Sequence, residues 1–104
     1  MIRRTSRKYM LKMVDENPDW KILELGSGRD GWTCADTYCD IVDYKEYYED
    51  KRFVQAEASD TPFKDKEFDF VVSTHVAEHV PEPKKYIKEL MRVSKQFHMV
   101  ICGG

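Results

Sequence analysis

Ile22-Leu23-Glu24-Leu25-Gly26-Ser27-Gly28-Arg29-Asp30-Gly31 decides how the rest of this chain is read. An apolar run too short for a helix and halted by glycines is the pattern of a buried strand whose end delivers backbone to a ligand. Glycine has no Cβ, so a ligand can approach such a turn closely. The spacing of Gly26, Gly28 and Gly31 satisfies the dinucleotide fingerprint, but it also occurs in turns that bind nothing. Glu24 sets the direction. The first turn of a dinucleotide site serves a pyrophosphate, and a carboxylate two residues before the first glycine would face that negative charge.

A ligand with a positive end and no phosphates suits Glu24 better, and S-adenosylmethionine, with its ammonium and sulfonium, has that character. Glu24-Leu25-Gly26-Ser27-Gly28 resembles the first motif of the class I S-adenosylmethionine-dependent methyltransferases. Three further segments extend the resemblance in order. Ile41-Val42-Asp43 ends a second apolar run with an acid, where such a fold places the carboxylate that accepts both ribose hydroxyls; the resemblance makes Asp43 the ribose ligand. Glu57-Ala58-Ser59-Asp60-Thr61-Pro62-Phe63 resembles the family's acid-Ala-x-x-x-Pro-Phe segment, which implies adenine contacts at Glu57 and Ala58. The stretch from Phe68 to Val80 resembles the fourth strand and following turn of the branch called methyltransferase type 11. The matches run from about Lys21 to Ile101, most of the chain.

The resemblance departs in two places. The family usually sets its third glycine two residues after the second, where this chain has Asp30, and the glycine follows at Gly31. The family domain also continues past its fifth strand into two more strands and substrate-binding elements, whereas this chain ends at Cys102-Gly103-Gly104. The expected fold is therefore α/β, a Rossmann-like three-layer sandwich with a mostly parallel sheet of about five strands, lacking the last strands of the family domain. A terminal strand at the sheet edge leaves backbone groups unpaired, so a homodimer or another partner is expected to cover it.

Composition agrees with one domain. A chain of 104 residues can bury a core, roughly two-thirds of its unfolded surface, but has no room for a second domain. The formal charge of −2 gives no electrostatic reason to expect nucleic acid as a partner. Arg3, Arg4, Arg7 and Lys8 cluster at the N-terminus and read as a solvated helix face. Cys34, Cys39 and Cys102 are odd in number and form no Cys-x-x-Cys pair, which suits a reduced cytoplasm rather than a disulfide framework or a thiol zinc site. No run approaches the roughly 18 apolar residues of a membrane span.

The apolar periodicity predicts a helix from Thr5 to Glu16, with Met10, Met13 and Val14 on one face and Asn17-Pro18 as its stop. Strands are expected at Lys21 to Leu25, Asp40 to Val42, Phe53 to Gln55, Phe68 to Ser73 and Phe97 to Ile101. A helix after Pro83 carries Tyr86, Leu90 and Val93 at helical spacing. The connection from Gly31 to Cys39 has room for a helix of about two turns, and the one from Tyr44 to Lys51 is similarly short.

In a parallel sheet of this kind the ligand sits at the carboxyl ends of the strands, where Glu24, Asp43, Glu57 and Ser73 all fall. Tyr44 is placed to pack on an adenine ring, and Ser73 with Thr74 to offer a hydroxyl or a carbonyl near the donor methyl. Asp30, Gly31 and Trp32 lie where the pattern is displaced. Methyl transfer from a sulfonium chiefly needs in-line positioning in a dry pocket, and a base is needed only for a protonated acceptor. His75 is the candidate base for a small-molecule hydroxyl or ammonium acceptor, while His79 supports the turn. His75-Val76-Ala77-Glu78-His79 also has the His-x-x-Glu-His spacing of some zinc peptidases, but Pro81 and Pro83 follow at once, and no metal is expected. The alternative to a methyltransferase is a non-catalytic S-adenosylmethionine-binding module or fragment that needs a partner or a missing C-terminal region.

Overall fold

The computed structural model describes residues 4–74 and 80–100. Helix α1 (Arg4–Asp15) leads into β1 (Ile22–Leu25) and β2 (Thr37–Asp40); a single 3₁₀ turn (Lys45–Tyr47) precedes β3 (Arg52–Gln55), and β4 (Phe68–Thr74), α2 (Pro83–Val93) and β5 (Ser94–Val100) complete the order. The strands form one sheet in the order β3-β2-β1-β4-β5. Every pairing is parallel.

Side chains that alternate along the strands feed two cores. Leu23, Leu25, Cys39, Phe68 and Val71 pack with Tyr86, Leu90 and Val93 of α2. Ile22, Tyr38, Phe70 and Val72 pack on the other face with Met10 of α1, and Met13 and Val14 lean against that cluster. Apart from Phe68 at the start of β4, which packs with the α2 side, this is the period-two partition of a sheet buried on both sides, where each large apolar side chain contributes roughly 1.5–3 kcal/mol. The expected three-layer α/β arrangement is what forms. Among the described residues no helix is long and apolar enough to cross a membrane.

Four local expectations are corrected. The second strand was predicted over Asp40 to Val42, yet β2 ends at Asp40, and Ile41 and Val42 are 59% and 49% exposed. Asp36 sets the register. Its carboxylate accepts the Ile22 N–H at 2.8 Å while its own N–H donates to the Ile22 carbonyl at 2.8 Å, so Leu23 lies beside Thr37. The early start leaves no room for the helix expected after Gly31, where only turns form. The connection after Tyr44 holds one 3₁₀ turn rather than an α-helix. Strand β5 likewise begins three residues before Phe97.

The topology places the site. From β1 the chain moves outward through β2 to β3, then returns to lay β4 on the other side of β1. The carboxyl ends of β1 and β4 thus flank the point where connections diverge, the usual crevice for a ligand in an open α/β sheet.

Candidate cofactor site

At the end of β1 the chain turns through Gly26 and Gly28, whose φ angles of 82° and 61° are left-handed and favour glycine. The N–H groups of Gly26 and Ser27 donate to the Cys39 carbonyl at 2.7 and 3.1 Å, tying the turn to β2. The Gly28 N–H donates to Asp40 Oδ2 at 2.8 Å. Farther on, the Gly31 N–H donates to the Tyr48 hydroxyl at 2.9 Å and the Trp32 N–H to Glu24 Oε1 at 2.5 Å. Gly31 is a glycine for steric reasons: a Cβ there would lie 2.4 Å from Tyr38 Cε1 and 2.9 Å from Glu24 Oε1. A phosphate-binding loop keeps N–H groups open for its anion. Here those of Gly26, Ser27, Gly28, Gly31 and Trp32 are donated to the chain's own oxygens.

Glu24 lies at the centre of this arrangement, 3% exposed. Burial pushes its carboxyl up to about 7, with the Trp32 N–H opposing the rise and nearby Asp40 adding to it. Among the described residues no lysine or arginine forms an ion pair with it. Among the described residues, this buried acid is therefore short of positive charge. An ammonium or sulfonium would supply that charge, whereas a pyrophosphate would add to the repulsion.

The residues expected from sequence fall around this loop unequally. Asp43 is exposed in the segment after β2, where its Oδ1 accepts the Lys45 N–H at 3.0 Å. It lines an open cleft with Lys45, Glu46, Tyr48, Glu49 and Lys51. Tyr44 is half-buried and meets Tyr47 edge-on at 6.0 Å. Glu57 is exposed beyond β3, its carbonyl accepting the Asp60 N–H at 3.0 Å, while Ala58 leans on the core. The connection that carries both is tied to β2 by the Ala56 N–H, which donates to the Asp40 carbonyl at 3.0 Å. Ser73 differs from expectation: its hydroxyl is fully buried, donates to the Leu25 carbonyl at 2.9 Å and meets the Tyr86 hydroxyl at 2.5 Å. That hydroxyl holds β4 to β1 and α2. His75, Glu78 and His79, and with them the His-x-x-Glu-His spacing, lie outside the described residues, as do the side chains of the basic N-terminal cluster.

The methyltransferase-domain family matches residues 23–101. The chain belongs to the class I S-adenosylmethionine-dependent methyltransferases. A demethylmenaquinone methyltransferase of Renibacterium salmoninarum is 30% identical over 101 residues, an alignment that covers 86% of this chain and 43% of the relative. The YcgJ protein of Bacillus subtilis superposes with a TM-score of 0.76 at 21% identity, covering 93% of this chain and 50% of that one. A SAM-dependent methyltransferase from Aquifex aeolicus superposes with a TM-score of 0.66 at 19% identity, covering 85% and 57%. The chain spans half or less of the length of the Renibacterium and Bacillus proteins.

In this methyltransferase domain two residues that bond the glycine loop escaped the sequence reading. Asp40, not Asp43, is the acid that ends β2, and it reaches the glycine loop directly. Tyr48 is buried, stacks on Tyr38 at 4.0 Å and donates its hydroxyl to the Gly28 carbonyl at 2.5 Å. The spacing of two acids around Ile41-Val42 was a signal for the first. Nothing local distinguished Tyr48 from Tyr44 or Tyr47.

Proposed function

We propose that this domain binds S-adenosylmethionine at the carboxyl ends of β1 to β4 and serves transfer of its methyl group to a small-molecule acceptor. The observation that carries the reading is Glu24, a buried acid with no ion pair among the described residues, beside a loop whose Gly26, Ser27, Gly28, Gly31 and Trp32 N–H groups are already donated. In this assignment Glu24, Gly26 and Gly28 serve the charged methionine end. Asp43 takes the ribose hydroxyls, with Asp40 between it and the loop. Tyr44, Glu57 and Ala58 meet the adenine, and the Ser73 backbone lies toward the donor methyl. The cofactor supplies a methyl group already activated on a sulfonium, which leaves the protein to position it and exclude water. His75 is assigned as the base that accepts a proton when the acceptor is a hydroxyl or an ammonium. A reduced, cytoplasmic setting belongs to the same proposal, on the cysteine usage.

Calorimetric titration with S-adenosylmethionine and S-adenosylhomocysteine, against NAD and zinc, tests the reading. Saturable binding is expected for the first two only, weakened by about tenfold or more in Asp43→Ala, which loses a charged acceptor. Failure of a folded chain to bind either molecule overturns it.

A further inference from the structure

The hydroxyl of Tyr48 gathers three backbone groups of the glycine loop. It accepts the Gly31 N–H at 2.9 Å, donates to the Gly28 carbonyl at 2.5 Å and lies 3.4 Å from the Ser27 carbonyl. Its ring stacks on Tyr38 at 4.0 Å and on Phe53 at 5.7 Å. Tyr38 in turn donates its hydroxyl to the Trp32 carbonyl at 2.5 Å, and burial raises that phenol to about 12, so it stays a donor. Two stacked tyrosines therefore grip the loop from Ser27 to Trp32. They do so where the expected helix is absent and the third glycine is displaced, so a loop without a helix to continue it is held by side chains instead.

Tyr48 also closes the segment that carries Asp43 and Tyr44. It follows the 3₁₀ turn of Lys45–Tyr47, and its N–H donates to the Lys45 carbonyl at 3.1 Å. One residue thus joins the segment assigned to the nucleoside to the loop assigned to the methionine end.

We propose that Tyr48 is a positioning residue for the cofactor, its hydroxyl fixing the Gly28–Gly31 span so that the amino-acid end of S-adenosylmethionine is received in one geometry. The proposal rests on the cofactor reading above. It assigns Tyr48 no contact with the reacting atoms. Removal of the hydroxyl therefore loosens the methionine side and leaves the nucleoside side in place.

Tyr48→Phe keeps the stacked ring and removes the hydroxyl. In chain labelled with ¹⁵N-glycine, with five glycines to resolve, amide exchange reads the loop without ligand. The wild-type Gly31 amide is expected to be protected; in the variant it exchanges at least about tenfold faster, while Gly26, bonded to Cys39, is unchanged. Calorimetry is expected to show S-adenosylhomocysteine binding about tenfold weaker and 5′-methylthioadenosine, which lacks the amino-acid end, within about twofold of wild type. Equal loss for both ligands, unchanged S-adenosylhomocysteine affinity, or an unprotected Gly31 amide in the wild type each overturns the proposal. A wild-type chain that binds neither ligand overturns the cofactor reading and this proposal with it, whereas wild-type binding unaffected by the substitution removes this proposal alone.

Discussion

Two buried glutamates, Glu24 at the end of the sheet and Glu89 on α2, have opposite surroundings. Glu89 is compensated. Its Oε2 accepts the N–H and the hydroxyl of Thr61, both at 2.6 Å, and Arg92 reaches Oε1 at 2.7 Å and Oε2 at 2.8 Å. The Arg92 hydrogen bonds, reinforced by those from Thr61, hold the Glu89 carboxyl down at about 2. Among the described residues Glu24 has one N–H donor and no cation paired with it, and its carboxyl is raised to about 7. A buried charge that stabilises a fold is surrounded by partners, and one that lacks them is a place for a ligand to supply the missing charge.

Breaking the compensated site has the largest expected effect. Glu89→Ala leaves the buried Thr61 N–H and hydroxyl without their acceptor and is expected to lower stability by about 3 kcal/mol in urea denaturation at pH 7. The sign with pH follows from the depressed carboxyl. Stability due to Glu89 is fully present above its ordinary value of 4.5 and is lost as pH falls through about 2. A loss under about 1 kcal/mol would mean that the pair contributes little beyond the packing of its helix.

At the other site the sign reverses. Because Glu24 is raised from 4.5 to about 7, the folded chain holds its proton longer than the unfolded chain, and stability falls as pH rises through that window. The shift sets an upper limit of roughly 3 kcal/mol. Glu24→Gln keeps an acceptor for the Trp32 N–H and removes the charge, so the variant is expected to exceed wild type by about 2 kcal/mol at pH 8 and by almost nothing at pH 4. Its affinity for S-adenosylmethionine should fall by about tenfold over the same rise in pH relative to wild type. A variant less stable than wild type at pH 8 would show that the Glu24 charge is compensated after all.

A smaller effect is expected from crowding the same site without changing its charge. Gly31→Ala places a methyl group against the Tyr38 ring, fixed by its stack on Tyr48 and its bond to Trp32, and against the Glu24 carboxylate, which accepts the Trp32 N–H. A loss of roughly 1.5 kcal/mol is expected from this overpacking, with weaker cofactor binding, and thermal melts with calorimetry read both. Unchanged stability would show that the Tyr38 ring moves aside freely.

The two sites were not equally legible. Glu24 announced itself because an acid interrupts an apolar run directly before glycines, and strand, turn and cofactor preference follow from adjacent residues. The sheet was legible for a similar reason: Phe68 to Thr74 and the apolar face of α2 are local periodicities. Glu89 was invisible, since an acid in an amphipathic helix reads as its solvent face, and its partner Thr61 lies 28 residues earlier. β2 was misplaced because Ile41-Val42 is the more apolar stretch, while the strand is set by the Asp36 contacts to Ile22, a pairing that no local periodicity signals. Asp40 and Tyr48 were missed with it, as their roles depend on reaching back to Gly28.

The smallest expected effect separates compensation from mere proximity of charge. Asp65 also pairs with Arg92, at 2.9 Å, but its side chain is 79% exposed. Water screens that pair, and ordering the exposed Asp65 side chain offsets much of the attraction. Asp65→Ala is therefore expected to change stability by less than about 0.5 kcal/mol, and raising the salt concentration should erase the difference. Glu89 must then keep its low carboxyl value when Asp65 is absent, because Thr61 and Arg92 still bond it directly. A loss near that of Glu89→Ala would instead mean that Asp65 orients the guanidinium, making the compensated site a network of three charges rather than a glutamate enclosed by its own donors.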